Sequence, residues 1–202
     1  MTSVTKSNKN NISSPTGNSL AVFVDAIDDR LKLKDINGKV QEASDYWNKS
    51  LGKYGSFYDT TTQTALGDNV PTAMKFNTDD LVNGVLITNQ DEIRVEELGI
   101  YNIQFSAQID RVSGSGLATV DIWFRKNGED IPNSNTKVTV TGNSNQAHIV
   151  ASWNFITEIG INDYVQIIWN SSTVNVKLVS ESENLIIPYP AIPSVILTVI
   201  KI

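Results

Sequence analysis

Cysteine is absent from the 202 residues, which excludes disulfides and any thiolate metal site. A single histidine, His148, leaves one imidazole in the whole chain, so no His-x-x-x-His metal spacing can arise. Basic residues are outnumbered, 16 Lys and Arg against 22 Asp and Glu, for a net charge of −6. Binding to nucleic acid needs clustered cations, and the densest cluster here, Arg30-Leu31-Lys32-Leu33-Lys34, alternates with leucine and runs into Asp35. It reads as a strand with a charged outer face, and no nucleic-acid partner is expected. Long apolar runs are missing too: none approaches the ~20 residues of a membrane span, and Met1 to Asn11 lacks the apolar centre of a signal peptide. The expectation is a soluble product made in a cytoplasm, with no membrane insertion and no cofactor.

What the chain does hold is Asn, Ser and Thr among 40% hydrophobic and only 19% charged residues, a balance that suits strands and turns. Residues 1–18 carry too few apolar groups to order by themselves and read as a flexible arm. Residues 19–54 read as a small β-meander and connector. Leu20 to Val24 forms the first strand, Leu31 and Leu33 alternate in the second, and Asn37-Gly38 signals a type I′ hairpin before Val40. Ala43 to Tyr54, with Trp47, is a weakly patterned connector with room for a turn or two of helix.

From residue 55 to 202, β-favouring segments recur about every ten residues between Gly, Asn, Asp and Ser clusters, the spacing of a sandwich or barrel. Three inward rows stand out: Tyr101, Ile103, Phe105, Ala107, Ile109; then Val120, Ile122, Phe124; then Ala147, Ile149, Ala151, Trp153, Phe155. Val165, Ile167 and Trp169 form another, as do Val174, Val176 and Leu178. The last strand differs, because it is apolar on both faces: Val195, Leu197 and Val199 on one, Ile196, Ile200 and Ile202 on the other. One face can fill a core; the other must leave water as well, and an axis of self-association is the economical explanation. A strand buried between two layers of one chain is the alternative. Trp123 and Val150, apolar on otherwise polar faces, are candidates for the same interface.

Catalytic signals are weak. His148 falls mid-strand on a polar face with no Gly-x-Ser-x-Gly elbow in the chain. The carboxylate pairs Asp28-Asp29, Asp79-Asp80, Asp91-Glu92, Glu96-Glu97 and Glu129-Asp130 fall in predicted turns, and Asp91 is placed to pair with Arg94. No enzyme is expected. Of the four tryptophans, Trp153 and Trp169 read as core, while Trp47 and Trp123 are free for an oligomer contact or a sugar platform.

Several stretches resemble a domain of bacteriophage virion proteins: Gly55-Ser56-Phe57-Tyr58-Asp59-Thr60-Thr61-Thr62-Gln63, Gly99-Ile100-Tyr101-Asn102-Ile103-Gln104-Phe105 and Val120-Asp121-Ile122-Trp123-Phe124. Gly160-Ile161-Asn162-Asp163-Tyr164-Val165 is similar to a corner of the C1q and tumour-necrosis-factor jelly rolls. The resemblance implies an all-β, ten-stranded antiparallel jelly roll, C1q/TNF-like, that forms a homotrimer with its terminal strands near the axis. It implies a head or tail fibre of a virion, non-enzymatic and without a cofactor. The Phe23 to Asp35 segment is similar to a short repeat near the start of phage fibre proteins, where it attaches or forms a stalk. Asn11, Ile12, Leu20, Val22 and Phe23 are accordingly the expected contacts to a capsid or other virion protein. A glycan on the host surface is the other expected partner, as for a carbohydrate-binding receptor module of a tail fibre.

Overall fold

Strands dominate the residues that this computed structural model describes, 5–45, 52–142 and 148–202. They fall into two compact units, Met1–Gly52 and Lys53–Ile202. The first holds β1 (Thr5–Ser7), a 3-10 turn (Lys9–Asn11), β2 (Ala21–Asp25), β3 (Leu31–Lys34) and β4 (Val40–Glu42), in the sheet order β1-β2-β3-β4. The meander β2-β3-β4 forms as its pattern predicts. The arm departs from expectation, since Thr5 to Ser7 pair in parallel with Phe23 to Asp25. The reason is that a strand edge offers unpaired N–H and C=O groups to any backbone, whatever its side chains. Lys34 Nζ ties the arm down further by donating to the Ile12 carbonyl at 2.7 Å.

The turn at Asn37-Gly38 differs too. Only Gly38 has a positive φ (81°), and Asp35 Oδ1 accepts from the amides of Asn37 and Lys39. The loop is a type I turn closed by a glycine bulge rather than type I′. Lys32 does not simply face solvent; its Nζ lies 2.8 Å from the buried carboxylate of Asp25 and 2.6 Å from Asp28. Hydrogen bonding to Lys32 holds both carboxyls below the usual Asp range. Ala43 to Asp45 are helical, and Trp47 lies outside the described residues.

The second unit begins with β5 (Tyr54–Asp59), β6 (Gln63–Thr64), β7 (Thr72–Ala73), β8 (Thr78–Asn83), β9 (Val85–Thr88) and β10 (Glu92–Val95). The longer strands β11 (Gly99–Arg111), β12 (Gly116–Lys126), β14 (Thr136–Gly142) and β15 (His148–Ile159) follow, with β13 (Glu129–Asp130) between β12 and β14. Then come β16 (Val165–Ser171), β17 (Val176–Leu178) and β18 (Val195–Lys201). One sheet runs β8-β5-β18-β11-β15 and the other β9-β10-β16-β12-β14, every pairing antiparallel. Setting aside the flanking β8 and β9, the remaining eight lie as first-eighth-third-sixth and second-seventh-fourth-fifth. That is the interleaving of two Greek keys in a jelly roll, with ten principal strands. The two- and three-residue strands β7, β13 and β17 pair with parts of β16, β12 and β11, and β6 pairs with β17.

The inward rows fill the space between the sheets. Tyr101, Ile103, Ala107, Ile109, Val120, Ile122, Phe124, Val165, Ile167 and Trp169 are at most 1% exposed. Ile149, Trp153 and Phe155 on the edge strand β15 pack against this core, while Ala147 lies outside the described residues. Val174 leaves its expected row: it sits in the turn before β17, 39% exposed. Arg94 pairs with Glu92 at 2.7 Å rather than with Asp91, because residues two apart on a strand share a face. Among the acidic pairs, Asp79-Asp80 and Glu129-Asp130 lie in strands β8 and β13 rather than in turns.

Two turns expected separately from the sequence dock on each other. Asn127 and Gly128 both have positive φ (51° and 85°), the type I′ geometry. Asn127 then exchanges backbone and side-chain hydrogen bonds with Tyr164, and its amide donates to Asp163 Oδ1 at 2.7 Å. Asp163 Oδ2 also takes Lys126 Nζ at 2.8 Å and the Gly160 amide at 2.9 Å. The Lys126 hydrogen bond, then Asn127 and Gly160, hold this carboxyl well below the usual carboxylate range. Because the folded pKa is depressed, its stabilisation is complete above the unfolded value of about 3.9 and is lost as pH falls below it. Melting curves should therefore show wild type losing Tm more steeply below pH 4 than Asp163→Asn, which should already be less stable at pH 7. Parallel acid limbs would refute this role.

Candidate functional site

In an antiparallel sheet, residues opposite one another share a face, so the registers define the outer surface of the β5-β18-β11-β15 sheet row by row. The first row is Tyr54, Ile200, Asn102 and Ile156; the second Ser56, Thr198, Gln104 and Asn154; the third Tyr58, Ile196, Ser106 and Ser152. None of these side chains is charged. Ile202 continues the β18 face beside Ile100, and Val150 extends it beyond the third row, opposite Gln108. Leu81 of β8 adjoins the second row through Ser56.

Exposure along this face is high for aliphatic residues: Ile196 40%, Ile200 42%, Ile100 49%, Ile156 53%, Val150 57% and Ile202 68%. A solvated strand face of this breadth ordinarily carries Lys and Glu, whereas interface cores are depleted of charge and enriched in aromatics. Among the described residues, charge borders these rows at Asp80 of β8, which accepts from Ser56 Oγ at 3.4 Å, and at the ends, at Glu158 and where Asp110 pairs with His148 and Lys177. The arrangement is suited to bury against protein.

The structure divides the residues expected at an axis. Ile196, Ile200 and Ile202 lie on this outer face, but Val195, Leu197 and Val199 are fully buried in the jelly-roll core. Val150 joins the outer face. Trp123 does not: β12 belongs to the other sheet, so its outer positions face away from β18. His148 opens β15 rather than standing mid-strand, with Nδ1 3.8 Å from Asp110 Oδ2. In the first unit, Leu20 (39%), Val22 (46%) and Asn11 are exposed and Ile12 is half-buried. Phe23, expected among the attachment contacts, is 0% exposed, on the sheet face it shares with Lys32.

One apolar element escaped sequence reading. Leu185, Ile186 and Ile187 are 84%, 94% and 68% exposed at the tip of a loop leading into β18. Bridges Glu181–Ile192 and Asn184–Tyr189 close the loop, and Asn184 Oδ1 caps the amides of Ile186 and Ile187. The available signal was Leu-Ile-Ile-Pro-Tyr-Pro, where the two prolines forbid a central strand yet leave the aliphatic run in place.

Among the described residues no group of three or more His, Asp or Glu side chains could hold a metal ion, and no helix is long and apolar enough to cross a membrane. Strand order and surface together define an all-β jelly-roll protein with one uncharged sheet face. Among solved structures, the chain is similar to murine APRIL at 12% identity, covering 75% of this chain and 99% of that one, with a TM-score of 0.43. It is similar also to the globular domain of zebrafish complement 1qA protein, again at 12% identity, covering 75% and 97%, with a TM-score of 0.42. No family model and no curated protein matches the sequence.

Proposed function

We propose that the chain is a non-catalytic structural component of a bacteriophage particle, a homotrimeric fibre or spike with the jelly roll as its head. The observation that carries self-association is the uncharged outer face of the β18 sheet, with Ile196, Ile200 and Ile202 exposed along its last strand. The virion reading is supported by the stretches that resemble phage virion domains and by the small strand unit that precedes the head. In that unit Leu20, Val22 and Leu31 are exposed apolar groups available to a capsid protein. Trimerisation multiplies weak contacts by avidity, which suits both attachment and adhesion.

The test is absolute mass in solution by light scattering on a sizing column, joined to immunogold labelling of purified particles. The expected mass is three times the 22.2 kDa chain, with label on the particle head. A monodisperse monomer removes the assembly, and unlabelled particles remove the virion role.

A further inference from the structure

The outer face of the second sheet carries a depression of about 400 Å³ around Trp123, edged by Asp121, Asp130, Asn133, Asn135 and Asn170. Its construction begins at the type I′ turn of Asn127-Gly128, which folds β13 back so that Asp130 lies opposite Arg125. Asp130 Oδ1 accepts from Trp123 Nε1 at 2.7 Å and from Arg125 Nε at 2.8 Å, so the indole is held by its polar edge. On the other side, Asp121 Oδ1 accepts from Asn135 Nδ2 at 3.1 Å and lies 3.6 Å from Lys137 Nζ. Each carboxylate is thus matched by one cation and one neutral donor. Asn133 and Asn170 add carboxamides, each with two donors and an acceptor oxygen.

The chemistry narrows the occupant. A phosphate or acidic ligand would meet Asp121 and Asp130, and both carboxylates are already engaged, which disfavours a bare cation. An apolar peptide would find only Trp123 and Ile131 to pack on. A neutral sugar ring has an apolar C–H face for an aromatic and a rim of hydroxyls that both donate and accept. That is the complement of one indole ringed by amides and neutralised carboxylates. The volume lies within the usual range of small-ligand sites, roughly 300–1,000 Å³.

We infer that the Trp123 depression is a binding site for neutral glycans. Each subunit carries the whole site, so the inference is independent of self-assembly. The full-length chain should be retained on an array of neutral and acidic oligosaccharides by members containing glucose, galactose or N-acetylglucosamine. Titrating the retained sugar should change tryptophan fluorescence. Trp123→Ala should weaken binding at least tenfold, Trp123→Phe less, and Asn133→Ala, in an exposed loop, should weaken it without touching the indole. Circular dichroism and light scattering on each variant confirm that fold and mass are unchanged. Retention of no neutral member, preference for acidic ones, or binding that survives both Trp123→Ala and Asn133→Ala overturns the inference.

Discussion

Replacing Ile196 and Ile200 together by lysine should convert the proposed trimer to monomers while leaving each jelly roll folded. The two positions lie on the outer face of β18 and bracket Thr198, whereas Val195, Leu197 and Val199 point into the core and are untouched. In the isolated subunit both isoleucines are already about two-fifths exposed, and surface substitutions of that kind change stability by roughly 0.5 kcal/mol or less. In a trimer packed on this face the same lysines would be buried in rows that hold no carboxylate, Asp80 of the flanking β8 being already bonded to Ser56. Near a threefold axis they would also meet their own symmetry copies. Both effects oppose assembly and neither acts on the monomer. Light scattering should report one chain mass with an unchanged far-ultraviolet spectrum, while Ile161→Lys, in the exposed β15–β16 turn, should leave the mass alone. A double variant that keeps the wild-type mass would place the interface elsewhere.

The fold was largely legible because a strand buried on one face writes its burial into the sequence with a period of two. Tyr101 to Ile109 and Val120 to Phe124 show it, and every residue of those rows is buried. Features made by backbone alone left no such trace. β1 pairs with β2 through main-chain groups, so the Ser- and Asn-rich composition of the arm around it spoke only of disorder. At Asn37-Gly38 the dipeptide signals a tight turn, but Asp35, two residues earlier, captures two amides and selects the three-residue loop.

The candidate interface was half legible. Apolar residues on both faces of β18 announced a second apolar surface, and Ile196, Ile200 and Ile202 lie exposed on the outer face of that strand. The partition of residues between sheets was not available, because it depends on which strands pair across long separations in the chain. Hence Trp123 and Val150 looked alike in sequence, though they belong to opposite faces of the jelly roll. Ile100 and Ile156 were overlooked for a related reason. Ile156 stands between Asn154 and Glu158 on its own face and Ile100 is followed there by Asn102, and only the pairing of β11 with β15 and β18 gathers them with Ile200 and Ile202.

Phe124→Ala should be the most damaging single substitution in the head. Phe124 is fully buried and spans the two sheets, stacking on Phe155 of β15 (4.5 Å between centroids, 13° between planes) and meeting Phe105 of β11 edge-on at 6.1 Å. Phe105 in turn packs edge-on against Trp153 at 4.6 Å, so one side chain supports a chain of four rings. Truncation of a buried phenylalanine costs about 3–5 kcal/mol, and aromatic pairs contribute about 0.5–1.5 kcal/mol beyond area alone. Against a total stability of about 5–15 kcal/mol, this is a large share. For a unit of this size Tm moves roughly 2–4 °C per kcal/mol, so a fall of about 6–20 °C is expected at pH 7. Phe124→Leu, nearer in volume, should lose distinctly less, because most of the space stays filled. The hydrogen bond from the Phe124 amide to Ser134 Oγ, at 3.1 Å, is made by backbone and survives either change. Calorimetry on the three proteins decides the matter. Equal losses for alanine and leucine would mean that ring contact rather than volume governs the core, and a fall of only a degree or two for alanine would mean that the sheets close without the bridge.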